Sequence, residues 1–371
     1  MVNKRFLILS IVAIALALFA AAGATPRVSA QGGTPVATAA PVNGEKQVLN
    51  VYNFTTYIAE DTISNFEKLY NVKVNYDNYA SNDELVAKLQ AGNPGYDVIV
   101  AGNYYVGALV RAGLLEEIDL NNIPNFTKYA AKSFVNPSYD PGNKHCIAYQ
   151  WGTMGIGYNL KKVGHEITTW AEIFGPEYKG RVAFIDAVRE QMGMWLIMLG
   201  LDPNTTNKDD LLKVKDYIIA HKDIISSFHE DDGQTKLARG EVDVVVEWNG
   251  DIIQVMADNP DLRYVIPKEG SIIWADNMCV PKGAKNPELA QKFLNYIYDP
   301  KVGGNISNFI HYGTPNQGAL DGGFVDKADM ENPSIYPPAD VLAKLKFLGD
   351  VGDAQALYDE IFADIKAGVS S

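Results

Sequence analysis

The order of predicted elements constrains the fold of this chain most strongly, because short apolar strands alternate with amphipathic helices. Strand-like segments occupy residues 48–54, 72–79 and 96–102, and a helix is predicted at 59–70 between the first two. This helix carries its apolar side chains at the spacing of one helical face. Regular alternation of strands and helices is typical of an α/β architecture.

A second series of elements repeats this alternation further along the chain. We predict strands at 155–159, 181–186 and 242–248, a capped helix from Thr169, and a helix at 189–199. A chain of 371 residues is too long for one ordinary core and long enough for two cores. The sequence therefore predicts two α/β lobes. The last predicted elements are a short strand at 277–281 and helices at 287–298, 339–348 and 352–365.

The N-terminal segment has the pattern of an export signal. Lys4 and Arg5 precede an apolar run of about 17 residues, and small residues lead to a cleavage site predicted after Ala30, so residues 1–30 are assigned to the signal peptide. Residues 31–47 are rich in small residues and predict a flexible linker. The predicted location is periplasmic or otherwise extracytoplasmic. An uncleaved N-terminus that tethers the chain to a membrane stays an alternative.

The chain carries a large negative charge. The full chain has a formal charge of -13, and cleavage after Ala30 removes three basic residues and no acidic one, which leaves -16. This balance argues against nucleic acid as a partner and favours attraction of a diffusing cation.

Two cysteines and five histidines offer little support for a catalytic metal. Cys146 and Cys279 lie in strand-like segments of an exported chain, so they form either a disulfide or two small buried apolar sites. The five histidines are scattered, without the spacing of a zinc motif. Neither a G-x-S-x-G turn nor a Gly-rich phosphate loop occurs. We therefore predict a protein without catalytic residues, bound metal or cofactor.

Aromatic side chains and carboxylates recur together where predicted strands end. Phe54, Tyr104 and Trp248 each follow or end a strand, and Trp274 stands two residues before Asp276. The carboxyl ends of the strands in an open α/β sheet border its ligand crevice, so these side chains are expected to line one cleft. Carboxylates pair with ammonium groups, and ring faces cover methylenes and attract cations. This combination indicates a site for a long organic cation.

Seven segments resemble the spermidine/putrescine-binding proteins, the extracytoplasmic receptors of polyamine ABC importers. They are Y-N-F-T-T-Y at 52–57, Y-D-V-I-V-A-G-N-Y-Y-V at 96–106, Y-Q-W-G-T-M-G-I-G-Y-N at 149–159, W-A-E-I-F-G-P-E-Y-K-G at 170–180, W-N-G at 248–250, P-K-E-G-S-I-I-W-A-D at 267–276 and Y-G-T-P-N at 312–316. The resemblance implies a two-lobed, hinged periplasmic-binding-protein fold of type II. It places lobe one at 48–151 and 275–320, and lobe two at 152–274 and 321–371.

The same resemblance implies a set of ligand-binding residues. The set comprises Phe54, Thr55, Tyr57, Tyr104, Asp186, Glu190, Trp248, Trp274, Asp276 and Tyr312. Four positions depart from the family pattern: Phe54 replaces a tryptophan, Gly102 a serine, Ala187 an acid and Leu348 a glutamine. Asp186 is the candidate substitute for the missing acid.

Each of these residues also has an ordinary structural interpretation. Trp248 and Trp274 taken alone are typical core residues, Tyr104 can pack under a helix, and Asp186 can cap the helix that follows it. Asp251 and Glu247 stay undecided between site and structure.

The function that the resemblance implies is capture of spermidine or putrescine by a monomeric receptor that delivers it to the permease of an ABC importer. The alternatives are a receptor of the same fold for another organic cation or for ferric ion, and a receptor that feeds a chemosensor.

Overall fold

The computed structural model describes residues 46–230 and 232–370. The predicted signal peptide, and with it the predicted membrane tether, lies outside the described residues, as does nearly all of the predicted linker. Within the described ranges, no helix combines the length and the apolar character needed to cross a membrane.

The described elements follow the predicted alternation. The strands are β1 (Val48–Phe54), β2 (Lys73–Tyr79), β3 (Val98–Gly102), β4 (Cys146–Asn159), β5 (Val182–Ile185), β6 (Ile225–His229), β7 (Val244–Trp248), β8 (Leu262–Val265), β9 (Ile272–Cys279) and β10 (Lys346–Phe347). The helices are α1 (Thr62–Tyr70), α2 (Asn82–Gln90), α3 (Asn103–Arg111), α4 (Pro124–Tyr129), α5 (Leu160–Val163), α6 (Val188–Met198), α7 (Lys208–Ala220), α8 (Gly233–Arg239), α9 (Asn249–Asp258), α10 (Pro287–Ile297), α11 (Pro300–Ile310), α12 (Gln317–Asp321), α13 (Lys327–Met330), α14 (Ala339–Leu342) and α15 (Gln355–Ser370).

The sheet has a parallel set of strands at each end and two shared strands in the middle. Its order is β2-β1-β3-β9-β4-β7-β5-β6, with β10 beside β9 and β8 beside β4. Strands β1, β2 and β3 are parallel at one end, and β5, β6 and β7 are parallel at the other. Strand β4 pairs with β9 through Cys146 to Thr153, then with β7 and β8 through Met154 to Asn159. Strand β4 therefore runs from one lobe into the other.

Each lobe has its own apolar core, as the predicted two-lobed fold requires. In lobe one, Val51 of β1 and the rings of Phe66 and Phe293 are fully buried, and the two rings meet edge to face with centroids 5.0 Å apart. In lobe two, Trp195 of α6 packs against Phe362 of α15 at 6.0 Å. The predicted α/β fold with two lobes is confirmed.

The predicted helix at 339–348 is correct only for its first four residues. Helix α14 ends at Leu342, and the chain then forms β10, which pairs with the first residues of β9. Asn204 Nδ2 donates to the carbonyl of Phe347 at 3.0 Å, and Arg189 Nη2 donates to the carbonyl of Gly349 at 3.1 Å. These tertiary hydrogen bonds hold the segment extended, and they join residues that are distant in sequence.

Other predicted elements differ in type or length. The helix predicted from Thr169 is instead a pair of 3₁₀ helices, Ala171–Phe174 and Pro176–Tyr178. Pro176 lacks the backbone N–H that a continuous α-helix needs. The strand predicted at 155–159 is the last part of the longer β4, and the strand predicted at 277–281 overlaps the longer β9 only at 277–279, where β9 ends. Both strands extend past the predicted limits because they pass between the lobes, which a local apolar pattern does not reveal.

Of the two interpretations of the cysteines, the disulfide is correct. Cys146 and Cys279 are directly opposed in the antiparallel pair of β4 and β9, and they form a disulfide that closes 133 residues of chain. Both residues are buried. The bridge joins the two shared strands at their lobe-one ends.

The positions at which the chain crosses between lobes stay a proposal. The boundaries predicted at 151/152 and 274/275 fall inside β4 and β9. Beyond residue 320, the carbonyl of Phe324 accepts from Asn308 Nδ2 at 3.1 Å, and the ring of Tyr336 lies 5.8 Å from that of Trp151. Both partners belong to the lobe-one side. We therefore propose that the last crossing follows Tyr336, later in the chain than 320/321.

Candidate functional site

All ten residues of the predicted set line one cavity between the lobes. The cavity has a volume of about 740 Å³ and is bordered by the carboxyl ends of β1, β3, β5 and β7. Its lining includes Phe54, Thr55, Tyr57, Tyr104, Asp186, Glu190, Trp248, Trp274, Asp276 and Tyr312. A role in ligand binding for each of them stays a prediction.

Asp276 is the central carboxylate on the lobe-one side. It lies on β9 directly opposite Gly102, the last residue of β3, so the pairing of the two strands brings it to the strand ends. Tyr57 Oη donates to Asp276 Oδ2 at 2.9 Å. Burial raises the pKa of Asp276 to about 7, the Tyr57 hydrogen bond opposes that rise, and the nearby charge of Glu190 adds to it. Near neutral pH this carboxyl group gains or loses its charge.

Four aromatic rings surround this carboxylate. The rings of Trp274 and Trp248 meet edge to face with centroids 5.8 Å apart, and Trp274 meets Tyr312 in the same way at 5.0 Å. Tyr312 is in turn 5.7 Å from Tyr57. Such mutually perpendicular rings present both edges and faces to the cavity. Both tryptophans also pack against the buried cores of the two lobes, so they have a structural role, and their contact with a ligand stays a prediction.

Glu190 is the carboxylate on the lobe-two side. It lies in the first turn of α6, where the helix dipole favours a negative charge, and its side chain is almost fully buried. Tyr104 Oη, from lobe one, donates to Glu190 Oε1 at 2.9 Å. Burial raises the pKa of Glu190, and the Tyr104 hydrogen bond opposes that rise. This hydrogen bond also joins the two lobes across the cavity.

Asp186, Phe54 and Thr55 lie at the margin of the cavity. Asp186 does not cap α6, because the N-cap residue is Ala187 and no side chain caps this helix. Its carboxylate is paired with Lys366 of α15. Phe54 packs edge to face on Tyr57 with centroids 5.9 Å apart, and Thr55 is exposed.

The two undecided acids, Asp251 and Glu247, have different surroundings. Asp251 lines the cavity, and its Oδ2 accepts from Tyr312 Oη at 2.9 Å. Glu247 is buried outside the lining, where its Oε1 accepts from the backbone N–H of Trp248 and its Oε2 lies 3.5 Å from His229 Nδ1. Asp251 is therefore placed to meet a ligand, which stays a prediction, whereas Glu247 lies outside the lining.

Sequence reasoning missed the side chains that the first turn of α2 and helix α3 bring to the site. Asp83 accepts from Tyr105 Oη at 2.8 Å, and Asn82 Oδ1 accepts from the backbone N–H of Gly102 at 3.0 Å. Both residues follow the end of β2, so the strand-end rule that found the other residues was a usable signal. Arg111, which pairs with Asp350 across the lobes, had no such signal.

The positions that depart from the family pattern have distinct surroundings. A Cβ at Gly102 would lie 3.6 Å from Asp276 Oδ1 and 3.3 Å from Asn82 Nδ2, so a small side chain requires a slight shift of the Asn82 side chain. Ala187 lines the cavity. Leu348 is buried, and its carbonyl accepts from Asn103 Nδ2 of lobe one at 2.8 Å.

The lining is rich in carboxylates and poor in positive charge. Among the described residues, eight acidic side chains border the cavity, and only Arg111 and Arg189 carry the opposite charge. Among residues 46–230 and 232–370, no group of three or more His, Cys, Asp or Glu residues is placed to hold a metal ion.

Two hinged lobes that share strands and meet over a ring-lined acidic cavity define a solute-binding protein of the periplasmic two-lobed type. Residues 61–332 match the bacterial extracellular solute-binding proteins, and the chain belongs to this family.

Similar proteins cover nearly the whole chain. The spermidine/putrescine-binding periplasmic protein of Salmonella typhimurium is 32% identical over 341 residues, which are 91% of this chain and 97% of that protein. The putrescine-binding periplasmic protein PotF of Escherichia coli is 35% identical over 320 residues, 81% of this chain and 86% of that protein. Among solved structures, the spermidine/putrescine ABC transporter substrate-binding protein PotD of Streptococcus pneumoniae has a TM-score of 0.78 at 28% identity, covering 87% of this chain and all of that one.

Proposed function

We propose that this protein is the extracytoplasmic receptor of a polyamine ABC importer and that it captures spermidine or putrescine in the cavity between its lobes. The observation that carries the proposal is the Asp276 carboxylate, which lies among the rings of Tyr57, Trp274 and Tyr312 with a second buried carboxylate, Glu190, across the same cavity. Relatives named for spermidine and putrescine binding support the same ligand class.

The cavity matches the chemistry of an aliphatic polyamine. Each ammonium group needs an opposite charge once it leaves water, because an unpaired buried charge is very costly. Asp276 and Glu190 supply such charges from the two lobes. The methylenes between the ammonium groups fit against aromatic faces, and each cation–ring contact contributes roughly 0.5–2 kcal/mol. Hydroxyl groups such as that of Tyr57 accept remaining N–H donors.

Ligand binding and lobe closure are coupled in this proposal. Glu190 belongs to lobe two and Asp276 to β9 on the lobe-one side, so one ligand with two ammonium groups draws both lobes together. The lobes touch at the cavity through the Tyr104–Glu190 hydrogen bond and the Arg111–Asp350 ion pair. The closed form is then the one that the permease binds. The receptor itself carries out no reaction, and it acts as an exported monomer.

The test is calorimetric titration of the chain from Gln31 after unfolding and refolding to remove bound ligand. Putrescine, spermidine and spermine are titrated at moderate salt, and we expect one-to-one binding. Asp276→Asn keeps the shape of the side chain and is expected to lose an order of magnitude or more in affinity, because a hydrogen bond to a buried charge contributes about 1.5–3 kcal/mol.

A matched control is Asp299→Asn, which changes an acid that caps α11 and does not line the cavity. This variant is expected to bind as the unsubstituted chain does. No binding of any polyamine would refute the proposal and would direct the search to other cations, ferric ion included. Equal loss in both Asn variants would show a general charge effect and not a site.

A further inference from the structure

One carboxylate of the cavity is already paired with a lysine of the same chain. Asp186 follows β5 and lines the cavity, and Lys366 of α15 forms an ion pair with its Oδ2. The two side chains are 26% and 39% exposed, so the pair lies at the margin of the cavity and not in open solvent. The Lys366 ammonium group also lies 5.9 Å from the ring centroid of Phe228 and 5.8 Å from that of Phe362.

The C-terminal helix fixes the position of this ammonium group. Phe362 lies one turn before Lys366 on the same face of α15 and is anchored in the lobe-two core against Trp195. The aliphatic part of Lys366 continues along that face and carries its charged end to Asp186. Because the helix is anchored, the lysine is held at a high effective concentration beside the carboxylate.

We propose that Lys366 determines the charge of the preferred ligand. Its own ammonium group fills the position that a third ammonium group of a ligand would take. The cavity therefore selects a diamine over a triamine. This inference rests on the proposed polyamine function. A third ammonium near Asp186 would meet a carboxylate that is already neutralised and a like charge beside it. The neighbouring position 187 is alanine and supplies no replacement acid.

The other acids at this end do not replace Asp186. Glu230 and Asp359 also line the cavity, but both are exposed to solvent. An ion pair with an exposed carboxylate contributes between about 0 and 1 kcal/mol. Glu190 is almost fully buried and Asp276 is half-buried beside Tyr57, so we assign one of these two carboxylates to each end of a diamine. Asp251 also lines the cavity, and its carboxylate accepts from Tyr312 Oη.

The experiment compares the affinities of putrescine and spermidine by calorimetry in the chain from Gln31 and its variants. Lys366→Met removes the charge and keeps the length of the side chain. We expect the spermidine-to-putrescine affinity ratio to rise about five- to tenfold, because Asp186 becomes available to the third ammonium. Lys366→Arg retains a positive charge and is expected to keep the original ratio. Lys366→Met combined with Asp186→Asn is expected to lose the gain.

Lys215→Met is the matched charge control. Lys215 pairs with Asp364 of the same helix α15 at 2.6 Å, and neither residue lines the cavity. If Lys215→Met changes the ratio as much as Lys366→Met does, or if Lys366→Met leaves the ratio unchanged while its denaturation curve shows a folded protein, the specificity role is overturned. If neither amine binds the unsubstituted chain, the proposed function falls and this inference falls with it.

Discussion

The protonation of Asp276 gives the sharpest prediction, because its raised pKa lies inside the range in which binding is easily measured. A pKa of about 7 means that half of the unliganded molecules carry a neutral Asp276 at pH 7. An ammonium ligand needs the ionised form, and alkyl ammonium groups keep their protons in this range, as the lysine value of about 10.4 indicates. Polyamine affinity should therefore fall as the pH is lowered through 7.

The size of the effect follows from the ionised fraction. Relative to its value at high pH, the affinity should be halved at pH 7, lowered about tenfold at pH 6 and lowered about a hundredfold at pH 5. The loss at pH 5 corresponds to about 2.7 kcal/mol of binding free energy. Glu190, whose pKa is also raised by burial, acts in the same direction. The stability of the unliganded protein changes in the opposite sense. Because the folded pKa of Asp276 exceeds the unfolded value of 3.8, the protein gains stability as the pH falls from about 7 towards 4.

The assay is a series of calorimetric titrations between pH 5 and pH 8 in pairs of buffers with different ionisation enthalpies. Binding near pH 7 should release a fraction of a proton, since the ligand draws Asp276 into its charged form. Asp276→Asn should bind more weakly at pH 8, the difference should shrink as the pH falls towards 5, and the variant should lack the component of the slope that this residue causes. An affinity that is constant from pH 5 to pH 8, without proton release, would refute the reasoning about this carboxyl group.

Three further substitutions probe the disulfide and the two walls of the cavity. Replacing both Cys146 and Cys279 by Ala opens a 133-residue loop and should lower the free energy of unfolding by up to about 5 kcal/mol in chemical denaturation, whereas an unchanged denaturation midpoint would contradict this. Tyr104→Phe removes the 2.9 Å hydrogen bond to Glu190 and should weaken polyamine binding at pH 7 by about tenfold in calorimetry; full affinity would exclude this hydrogen bond from closure. Gly102→Ser requires only a slight shift of the Asn82 side chain and should place a hydroxyl near Asp276, which lowers the pH midpoint of binding; a rise would show that the hydroxyl points elsewhere.

The sequence predicts the fold well where a segment buries its own apolar face. Strand β1 was predicted to the residue, and helix α1 and strand β3 were predicted with the correct ends but begin three and two residues later than predicted, because each has a local periodic pattern. The predicted helix at 339–348 fails for the opposite reason. Its backbone is held extended by Asn204 and Arg189, and no local pattern encodes hydrogen bonds to residues about 150 positions away.

The candidate site shows the same division between local and distant information. Phe54, Tyr104 and Trp248 were placed together because each stands at a strand end, and strand ends share one edge of the sheet. Lys366 escaped prediction although its partner Asp186 was included. The ion pair spans 180 residues, and it depends on how α15 is packed, which the sequence alone does not specify.

The crossing of β4 and β9 between the lobes links ligand contact to hinge motion. Trp274 and Asp276 lie on β9 within three residues of the point at which β4 changes partners, and Trp274 is opposite Gly152. A Cβ at Gly152 would lie 2.5 Å from Trp274 Cζ2 and 2.4 Å from Asn249 Oδ1, so only glycine permits this close approach. The disulfide fixes the lobe-one end of the same strand pair. We therefore expect these two strands to bend beyond the disulfide, where the ring and the carboxylate proposed to hold the ligand are attached, and we expect a ligand that contacts Trp274 and Asp276 to restrict that bending.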